Sequence, residues 1–360
     1  MNLPYVGLED IESQTGKFIG SFDSKHVKSA TFLFDERHVL YGRLRAYLNK
    51  YLTPTFNGHC STEIFPLLPD SKINRFYLAH WLSSPNVCDL IDATGRGARM
   101  PRANMNEVLN FQFPLPPLDE QKRIVAKLDE ALGDLDRLTE NSKRTLDQID
   151  ALWVASIDEV MNEISSGTQM STIGDIFKTS SGGTPLKSRK DYYEGGSVPW
   201  LLSGEVANSE ITSAKNFITE LALKETSAKL APSNSVLVAM YGATAGEVGI
   251  LRFEASTNQA VCAIHPIEGW NTEFIYYWMV YSKNHLISMA AGNAQPNVSQ
   301  IKIRSLPIPL LDQRSQDNVV SRLSEIKKSQ EETYLLKRQS MSEQNLLRGS
   351  ILSAAFAGDF

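Results

Sequence analysis

The sequence has little cysteine and no long apolar run. Its three cysteines, Cys60, Cys88 and Cys262, are spread over 360 residues without a Cys-x-x-Cys pair. This spacing excludes a disulfide framework and fits a reducing compartment, so we expect a cytoplasmic protein. A run of about 18 apolar residues is absent, and the start MNLPYVGLED lacks a signal-peptide pattern, so we expect no membrane association.

Motifs of enzyme chemistry are missing as well. The sequence has no phosphate-binding Gly-x-x-x-x-Gly-Lys-[Ser/Thr] loop, no Asn-Pro-Pro-[Tyr/Phe] or Asp-Pro-Pro-[Tyr/Phe] tetrapeptide and no Gly-x-Gly-x-x-Gly. Its six histidines show no metal-ligand spacing. We therefore expect no catalytic residue, no metal and no cofactor. The net charge of −5 argues against a strongly basic nucleic-acid binder, but it allows contacts from local basic loops.

The sequence does contain a long heptad repeat that follows a run of prolines. Residues 114–165 open with PLPPLDEQ, and from Leu118 they contain no proline and one glycine, Gly133. This predicts a helix of about 45 residues, roughly 65–70 Å long. Such a helix needs a partner over its apolar seam, and a solvated single helix is the weaker alternative. The seam residues are Leu118, Val125, Leu132, Leu146, Trp153 and Val160, with Leu128, Leu135 and Ile149 beside them.

An internal repeat supplies that partner. Six segments recur in the same order at offsets of about 193–200 residues, which indicates a duplicated unit of globular domain plus long helix. The pairs are LPYVGLEDI (3–11) and VPWLLSGEV (198–206), HVLYGRLRAY (38–47) and LVAMYGATAG (237–246), CSTEIFPLLP (60–69) and TNQAVCAIHP (257–266), FYLAHWLSS (76–84) and FIYYWMVYS (274–282), GARMPRANMNEV (97–108) and GNAQPNVSQIKI (292–303), and FPLPPLDEQ (113–121) and LPIPLLDQR (306–314).

The predicted fold class is α/β (α+β). Two globular mixed α/β domains are separated by two long helices, which pair as an antiparallel coiled coil with a pseudo-two-fold internal repeat. This packing would place the domains at opposite ends of a rod. The second helix has a weaker heptad pattern, with polar residues at its centre. The expected boundaries are 1–113 for the first domain, 114–165 for the first helix, 171–306 for the second domain and 307–360 for the second helix. No counterpart of the lead-in at 171–197 stands ahead of the first domain, and two explanations stay open: the sequence starts inside the first repeat, or the segment has been lost.

The motifs resemble those of the DNA-specificity (S) subunit of type I restriction–modification systems, over essentially the whole chain. The repeated entry from prolines through Asp-Glu-Gln into a long helix is the most specific of them. The stretches that carry the resemblance are PLPPLDEQKRIV (114–125), PIPLLDQR (307–314), GGTP (182–185), PWLLSGEV (199–206), YGATAG (241–246) with NQ (258–259), and SILSAAFAG (350–358).

The resemblance implies a function and partners. Each globular domain would be a target-recognition domain that reads one half of a bipartite site in double-stranded DNA, and the coiled coil would set the spacing. Methyltransferase (M) subunits would dock on this framework, and restriction endonuclease (R) subunits would join them. S-adenosylmethionine, ATP and Mg are expected on those partner subunits. Two alternatives stay open: a coiled-coil scaffold that binds only proteins, and a self-contained enzyme.

Candidate DNA contacts lie in polar and basic loops. Arginine pairs bidentately with guanine and side-chain amides pair with adenine, so the favoured candidates are one arginine-rich loop and its amide-rich copy. These residues are Arg96, Arg99 and Arg102, and Asn293, Gln295 and Asn297.

Two further loops are candidates. One of them contains Tyr41, Arg43 and Arg45. In the second repeat, Tyr241, Ala243 and Ala245 are expected at the equivalent positions, with Thr244 between the alanines. The alternative is that the charged residues of this loop form ion pairs on a strand face. The loop SGGTPLKSRK combines glycines, which let backbone approach a phosphate, with cations that neutralise it. A solvated surface loop is the alternative for this segment. Its candidate residues are Thr184, Lys187, Arg189 and Lys190.

Overall fold

The computed structural model describes residues 3–23, 27, 29–97, 99–207, 210–289 and 298–358. The chain divides into two compact units. Unit 1 comprises Met1–Thr145 and Leu336–Phe360, and unit 2 comprises Leu146–Leu335. Each long helix therefore contributes one part to each unit. None of the helices in these ranges is long and apolar enough to cross a membrane.

Unit 1 contains two small sheets. In the first, β5 lies between a parallel β1 and an antiparallel β2. In the second, β3 lies between β4 and β6, and both pairings are antiparallel. The strands are β1 (Tyr5–Val6), β2 (Thr31–Phe34), β3 (Val39–Gly42), β4 (Tyr51–Leu52), β5 (Gly58–Ser61) and β6 (Ile64–Leu67).

Three helices complete the globular part of unit 1: α1 (Arg75–Ser83), α2 (Pro85–Ala93) and α3 (Met105–Val108). The Asn74 side chain caps α1 by accepting hydrogen bonds from the backbone amides of Phe76 and Tyr77. Pro85 stands at the first position of α2, where its missing N–H costs no hydrogen bond. Trp81 and Leu82 of α1 are buried against β3.

In its described residues, unit 2 contains a five-stranded, a four-stranded and a two-stranded sheet. The strand orders are β10-β14-β13-β16-β8, β11-β9-β15-β12 and β17-β7. Strand β13 is buried along its whole length and pairs antiparallel with β14 and β16. The strands are β7 (Met170–Thr172), β8 (Thr179–Ser181), β9 (Val198–Leu201), β10 (Glu210–Ile211), β11 (Asn216–Ile218), β12 (Leu230–Ala231), β13 (Ser235–Ala239), β14 (Val248–Leu251), β15 (Ala255–Thr257), β16 (Val261–Ile264) and β17 (Pro307–Pro309).

The helices of unit 2 repeat the arrangement of unit 1. Asn271 caps α7 through the amides of Glu273 and Phe274, as Asn74 caps α1. Helix α7 packs its apolar face on the sheet, with Phe274 and Trp278 in the core. The short helices of this unit are α5 (Ile173–Ile176), α6 (Glu220–Glu225), α7 (Thr272–Tyr281), α8 (Lys283–Ser288) and α9 (Gln300–Arg304).

The two long helices are α4 (Leu118–Ser165) and α10 (Gln313–Ala357), of 48 and 45 residues. In unit 1, Leu128 of α4 packs in one cluster with Leu352 of α10, and Thr139 donates a hydrogen bond to Gln344. In unit 2, Val160 and Met161 pack with Val319 and Leu323. Within each unit, residues later in α4 contact residues earlier in α10, so the pairing is antiparallel in both.

These elements confirm the predicted fold class. Most of the apolar residues predicted for the seam of α4 face the partner helix. Leu118 is an exception, since it lies at the start of the helix and 39% of its surface is exposed. The predicted start of the second long helix was too early, since residues 307–309 form a strand with β7 and α10 begins at Gln313. Prolines at 307 and 309 explain this, because proline cannot continue a helix.

Candidate nucleic-acid interface

In unit 1, the backbone joins the two arginine-bearing loops. The Arg45 amide donates to the Pro101 carbonyl at 2.9 Å, and the Ala103 amide donates to the Arg43 carbonyl at 2.8 Å. Leu44 and Arg96 each form an isolated bridge with Arg102. Arg45 itself adopts a left-handed conformation with φ of 52°. The predicted loops around residues 43–45 and 96–102 therefore form one continuous surface.

Five arginines lie on that surface, and two carboxylates partly neutralise them. Glu63 accepts three hydrogen bonds from the Arg102 guanidinium, at 2.7 to 3.0 Å, and lies 3.6 Å from Arg43 Nε. The hydrogen bonds from Arg102 lower the pKa of Glu63. Arg96 keeps 82% of its side chain exposed and touches Glu107 at 3.4 Å. Arg45 and Arg99 are exposed, so the loop surface carries an excess of positive charge.

Tyr41 does not belong to this surface, so its assignment as a DNA contact is corrected. Its side chain is 0% exposed in the core beside Val39 and Ala79, and burial raises the pKa of its phenol. A buried ring on the inner face of β3 has no surface to offer a ligand.

The expected correspondence between Tyr41 and Tyr241 is wrong by three positions. In unit 1, the backbone amide of Arg43 donates to the Glu63 carbonyl, and the Arg43 carbonyl accepts from the Ala103 amide. In unit 2, the backbone of Met240 makes the same two bonds, donating to the Ala260 carbonyl and accepting from the Val298 amide. Arg43 therefore matches Met240, and Tyr41 matches the buried Val238. Tyr241 lies beyond the end of β13, where it is only partly covered.

In unit 2, two of the predicted residues meet at Gln259. The Thr184 hydroxyl donates to the Gln259 side-chain carbonyl, and the Tyr241 hydroxyl donates to the Gln259 backbone carbonyl. Thr244 lies in the turn after Tyr241 and accepts a backbone bond from Glu247. Sequence reasoning treated Gln259 only as part of a motif and missed its role as the connection between the two loops.

Glycine permits this close approach of the loops. The Gly183 amide donates to the Thr257 carbonyl at 2.9 Å. A Cβ atom on Gly182 would lie 2.1 Å from that same carbonyl oxygen, which no side chain can tolerate. The glycines of residues 182–183 therefore hold Thr184 beside the end of β15.

The basic residues of the same loop differ in their availability. Arg189 pairs with Asp191 at 2.6 Å and stacks over Tyr192 at 4.3 Å, and the hydrogen bonds that it donates to the Asp191 carboxylate raise the pKa of the guanidinium. Lys190 is 4.0 Å from Glu194, and both Lys187 and Lys190 are exposed. Arg189 is thus committed to the fold of its own loop, whereas the two lysines face solvent.

The predicted amide loop falls outside the described residues, which exclude 290–297 and with them Asn293, Gln295 and Asn297. The next residue, Val298, donates its amide to the Met240 carbonyl at 2.8 Å, beside Tyr241. Within the ranges that the structure describes, no group of three or more His, Cys, Asp or Glu residues could hold a metal ion.

Comparison with known proteins gives a consistent result. The family model described as type I restriction modification DNA specificity domain matches residues 1–151 and 165–336. The EcoR124I/EcoR124II specificity subunit of Escherichia coli is 26% identical over 282 residues, which cover 76% of this chain and 68% of that protein. The EcoDI specificity subunit of Escherichia coli is 28% identical over 153 residues, 42% of this chain and 34% of the relative.

Solved structures show the same fold. One solved structure concerns the complex assembly and conformational transition of the type I R-M system. One of its chains superposes on this chain with a TM-score of 0.80 at 21% identity, and the match covers 100% of this chain and 92% of that one. The HsdS subunit from Thermoanaerobacter tengcongensis superposes with a TM-score of 0.57 at 21% identity, covering 100% and 91%.

Proposed function

This chain belongs to the type I restriction modification DNA specificity family, and from that membership we propose that it is the sequence-recognition subunit of a type I restriction–modification complex. The subunit is not an enzyme; it supplies recognition to a complex whose other subunits carry the chemistry. The observation that carries the proposal is the surface of unit 1, where two loops distant in sequence place five arginines together.

Unit 1 is the reader of one half-site. Arginine presents two parallel N–H donors, which match the O6 and N7 acceptors of guanine in the major groove. Arg102 is held by Glu63 through its Nε and one terminal nitrogen, and its other terminal nitrogen donates to the Met100 carbonyl at 3.3 Å, so its guanidinium is fixed on the surface beside the other arginines. Arg45, Arg96 and Arg99 have exposed side chains that suit phosphate or base contacts.

Unit 2 is the reader of the other half-site. Candidates for phosphate and base contacts are Thr184, which lies with Tyr241 at Gln259, together with Lys187, Lys190 and Thr244. Asn293, Gln295 and Asn297 remain predicted adenine contacts. Because these side chains differ from the arginines of unit 1, the two units are expected to prefer different sequences, which suits a bipartite site with unlike halves.

The long helices are proposed to set the spacing between the half-sites and to dock the M subunits, with R subunits joining the complex. S-adenosylmethionine, ATP and Mg would then bind to those partner subunits. The assembled complex would act in the cytoplasm. The specificity subunit need not supply all the positive charge of the assembly, which is consistent with a net charge of −5.

The proposal is tested by reconstituting the chain with its M subunits and sequencing the methylated bases of random DNA. We expect methylation at one bipartite sequence, and binding that weakens as salt rises, because phosphate contacts release counterions. A complex that assembles but shows no sequence preference would identify a protein-binding scaffold instead. Methyl transfer by the isolated chain would identify a self-contained enzyme.

A further inference from the structure

The turn between β5 and β6 of unit 1 recurs in unit 2 between β15 and β16. In unit 1, the Ser61 hydroxyl accepts the backbone amide of Glu63 at 3.2 Å. In unit 2, the Asn258 side-chain oxygen accepts the backbone amide of Ala260 at 3.1 Å. Glu63 therefore matches Ala260, and the two turns have the same backbone arrangement.

The Glu63 side chain connects the two arginine-bearing loops of unit 1. One carboxylate oxygen accepts from Arg102 Nε at 2.9 Å and from a terminal nitrogen of the same guanidinium at 2.7 Å. The other oxygen accepts from Arg102 Nε at 3.0 Å and lies 3.6 Å from Arg43 Nε. Because Arg43 and Arg102 belong to different loops, a single carboxylate holds the two loops together.

Arg102 is fully engaged in this arrangement. Its remaining terminal nitrogen donates to the Met100 carbonyl at 3.3 Å, so each of its three side-chain nitrogens has a partner within unit 1. Its backbone amide donates to the Arg96 carbonyl at 3.0 Å, and its carbonyl accepts from the Arg96 amide at 3.1 Å. Arg102 therefore fixes the base of the loop that carries Arg96 and Arg99.

The side chains that face solvent on this surface are carried by the two connected loops. Arg96 keeps 82% of its side chain exposed, and Arg45 and Arg99 are exposed as well. The Arg45 amide donates to the Pro101 carbonyl, next to Arg102. The positions of all three exposed arginines thus depend on the contact between the loops.

The same turn connects two loops in unit 2 with different chemistry. Gln259 directly precedes Ala260; its side-chain carbonyl accepts from the Thr184 hydroxyl, and its backbone carbonyl accepts from the Tyr241 hydroxyl. An amide thus binds a hydroxyl group in unit 2, where a carboxylate binds guanidinium groups in unit 1. Two unlike sets of side chains in one turn indicate a shared role in holding the neighbouring loops.

We propose that Glu63 and Gln259 are positioning residues for DNA recognition, each in its own unit. The inference rests on the proposed function and adds residues that act on DNA through other side chains. Glu63 keeps Arg102 in place and thereby holds the exposed arginines of both loops in one geometry. Side chains held in this way discriminate better between sequences, because less conformational freedom is lost on binding.

The negative charge of Glu63 separates this role from a purely electrostatic one. Glu63→Gln removes one negative charge and keeps the size of the side chain. If the charge alone mattered, the change would strengthen binding to every DNA by the same factor, because a carboxylate repels phosphates. If Glu63 positions the loops, the change weakens discrimination at one half-site while binding to unrelated DNA does not weaken.

The test uses the full-length chain in complex with its M subunits. Discrimination is measured as methylation of a DNA library randomised in each half-site, and non-specific affinity as binding to an unrelated duplex. For Glu63→Gln we expect discrimination at one half-site to fall about fivefold or more, the low end of what a bidentate base contact supplies. The other half-site should be unaffected. Equal strengthening of target and unrelated DNA, or a loss at both half-sites, would overturn the proposal.

Glu36→Gln is the matched control. It makes the same change of charge at an exposed position in the turn before β3, whereas Arg43 follows the other end of that strand. Discrimination at both half-sites should stay as in the wild type. If the control lowers discrimination as much as Glu63→Gln does, the effect belongs to charge and the positioning role is wrong.

Arg102→Lys examines the same contact from its other side. Lysine keeps the positive charge but cannot bind both carboxylate oxygens with a planar fork. We expect the loss seen with Glu63→Gln and no further loss when the two changes are combined, because both remove one contact. A larger loss from Arg102→Lys, or losses that add, would show that Arg102 reads DNA itself and would refute the role given to Glu63.

Gln259→Ala extends the test to unit 2, where it should lower discrimination at the other half-site only. An unchanged preference at that half-site would refute the role given to Gln259. A wild-type complex without any sequence preference would refute the proposed function itself. A selective wild-type complex whose variants keep their discrimination would refute only the positioning roles.

Discussion

At the scale of single residues, two glutamines lock the long helices to their globular domains. Gln121 and Gln316 are both 0% exposed. Each side-chain oxygen accepts the amide of a helix-capping asparagine at 2.8 Å, Asn74 or Asn271. Each side-chain nitrogen donates to two backbone carbonyls. The glutamine of the Asp-Glu-Gln motif, Gln121, is thus a buried structural connection, and its structural counterpart is Gln316, not the exposed Gln313 that follows Asp312.

Gln121→Leu should destabilise the protein by about 1–3 kcal/mol, because it removes three partly buried hydrogen bonds made by a fully buried side chain and leaves the Asn74 amide and the Lys72 and Pro116 carbonyls without this partner. Urea unfolding of the full-length chain measures this loss. Gln148→Leu, at an exposed position of α4, is the control and should change stability little. Equal effects of the two substitutions would show that the buried hydrogen bonds contribute nothing specific.

The three cysteines should be unreactive in the folded protein. Burial raises the pKa of Cys60 and Cys262 to about 12 and that of Cys88 to about 11, so the thiolate is scarce at neutral pH. We expect a thiol reagent such as DTNB at pH 8 to label none of them in the native protein and all three in guanidinium chloride. Rapid labelling of a native cysteine would place that residue at the surface.

At the scale of elements, the centre of the helix pair is polar. Thr139 and the buried Ser142 take heptad positions of α4, and Thr139 bonds Gln344 of α10. Polar residues at such positions lower stability but fix the register of a coiled coil. The apolar packing between the helices is therefore concentrated near the globular part of each unit. We expect that residues can be removed from the polar stretch of the two helices with the smallest loss of stability.

Deleting one heptad from each helix, residues 139–145 and 338–344, should shorten the preferred spacer in the DNA target. Seven helical residues correspond to about 10 Å, or roughly three base pairs. Binding to targets with varied spacers measures the shift, and circular dichroism checks that the helices persist. An intact complex with an unchanged spacer preference would reject the proposal that the helices set the spacing.

The elements that sequence predicts best are those with a strong period. The heptads of α4 need only local pattern, and that long helix occurs as expected. The match of Tyr41 to Tyr241 was wrong because short loops shift register without changing composition. The pairing of Glu63 with Arg102 joins residues 39 positions apart, and that of Gln121 with Asn74 joins residues 47 apart. Neither has a local signal.

At the scale of the whole molecule, the two units are expected to read DNA separately. Each unit has its own core and its own polar loops, and no candidate contact is shared between them. Changes in one unit should therefore alter recognition of one half-site and leave the other half intact. This expectation distinguishes a bipartite reader from a protein that binds a single continuous sequence.

Paired variants make that test. Arg96→Ala with Arg99→Ala in unit 1 should relax one half-site, and Asn293→Ala with Gln295→Ala and Asn297→Ala should relax the other. Losing a bidentate base contact costs about 1–3 kcal/mol, or about fivefold to 150-fold in discrimination. Methylation of a DNA library randomised in each half by the reconstituted complex measures both effects. Arg144→Ala, an exposed change on α4, is the control. If either variant weakens both halves equally, its residues act on DNA without reading sequence, and the division of recognition between the units is wrong.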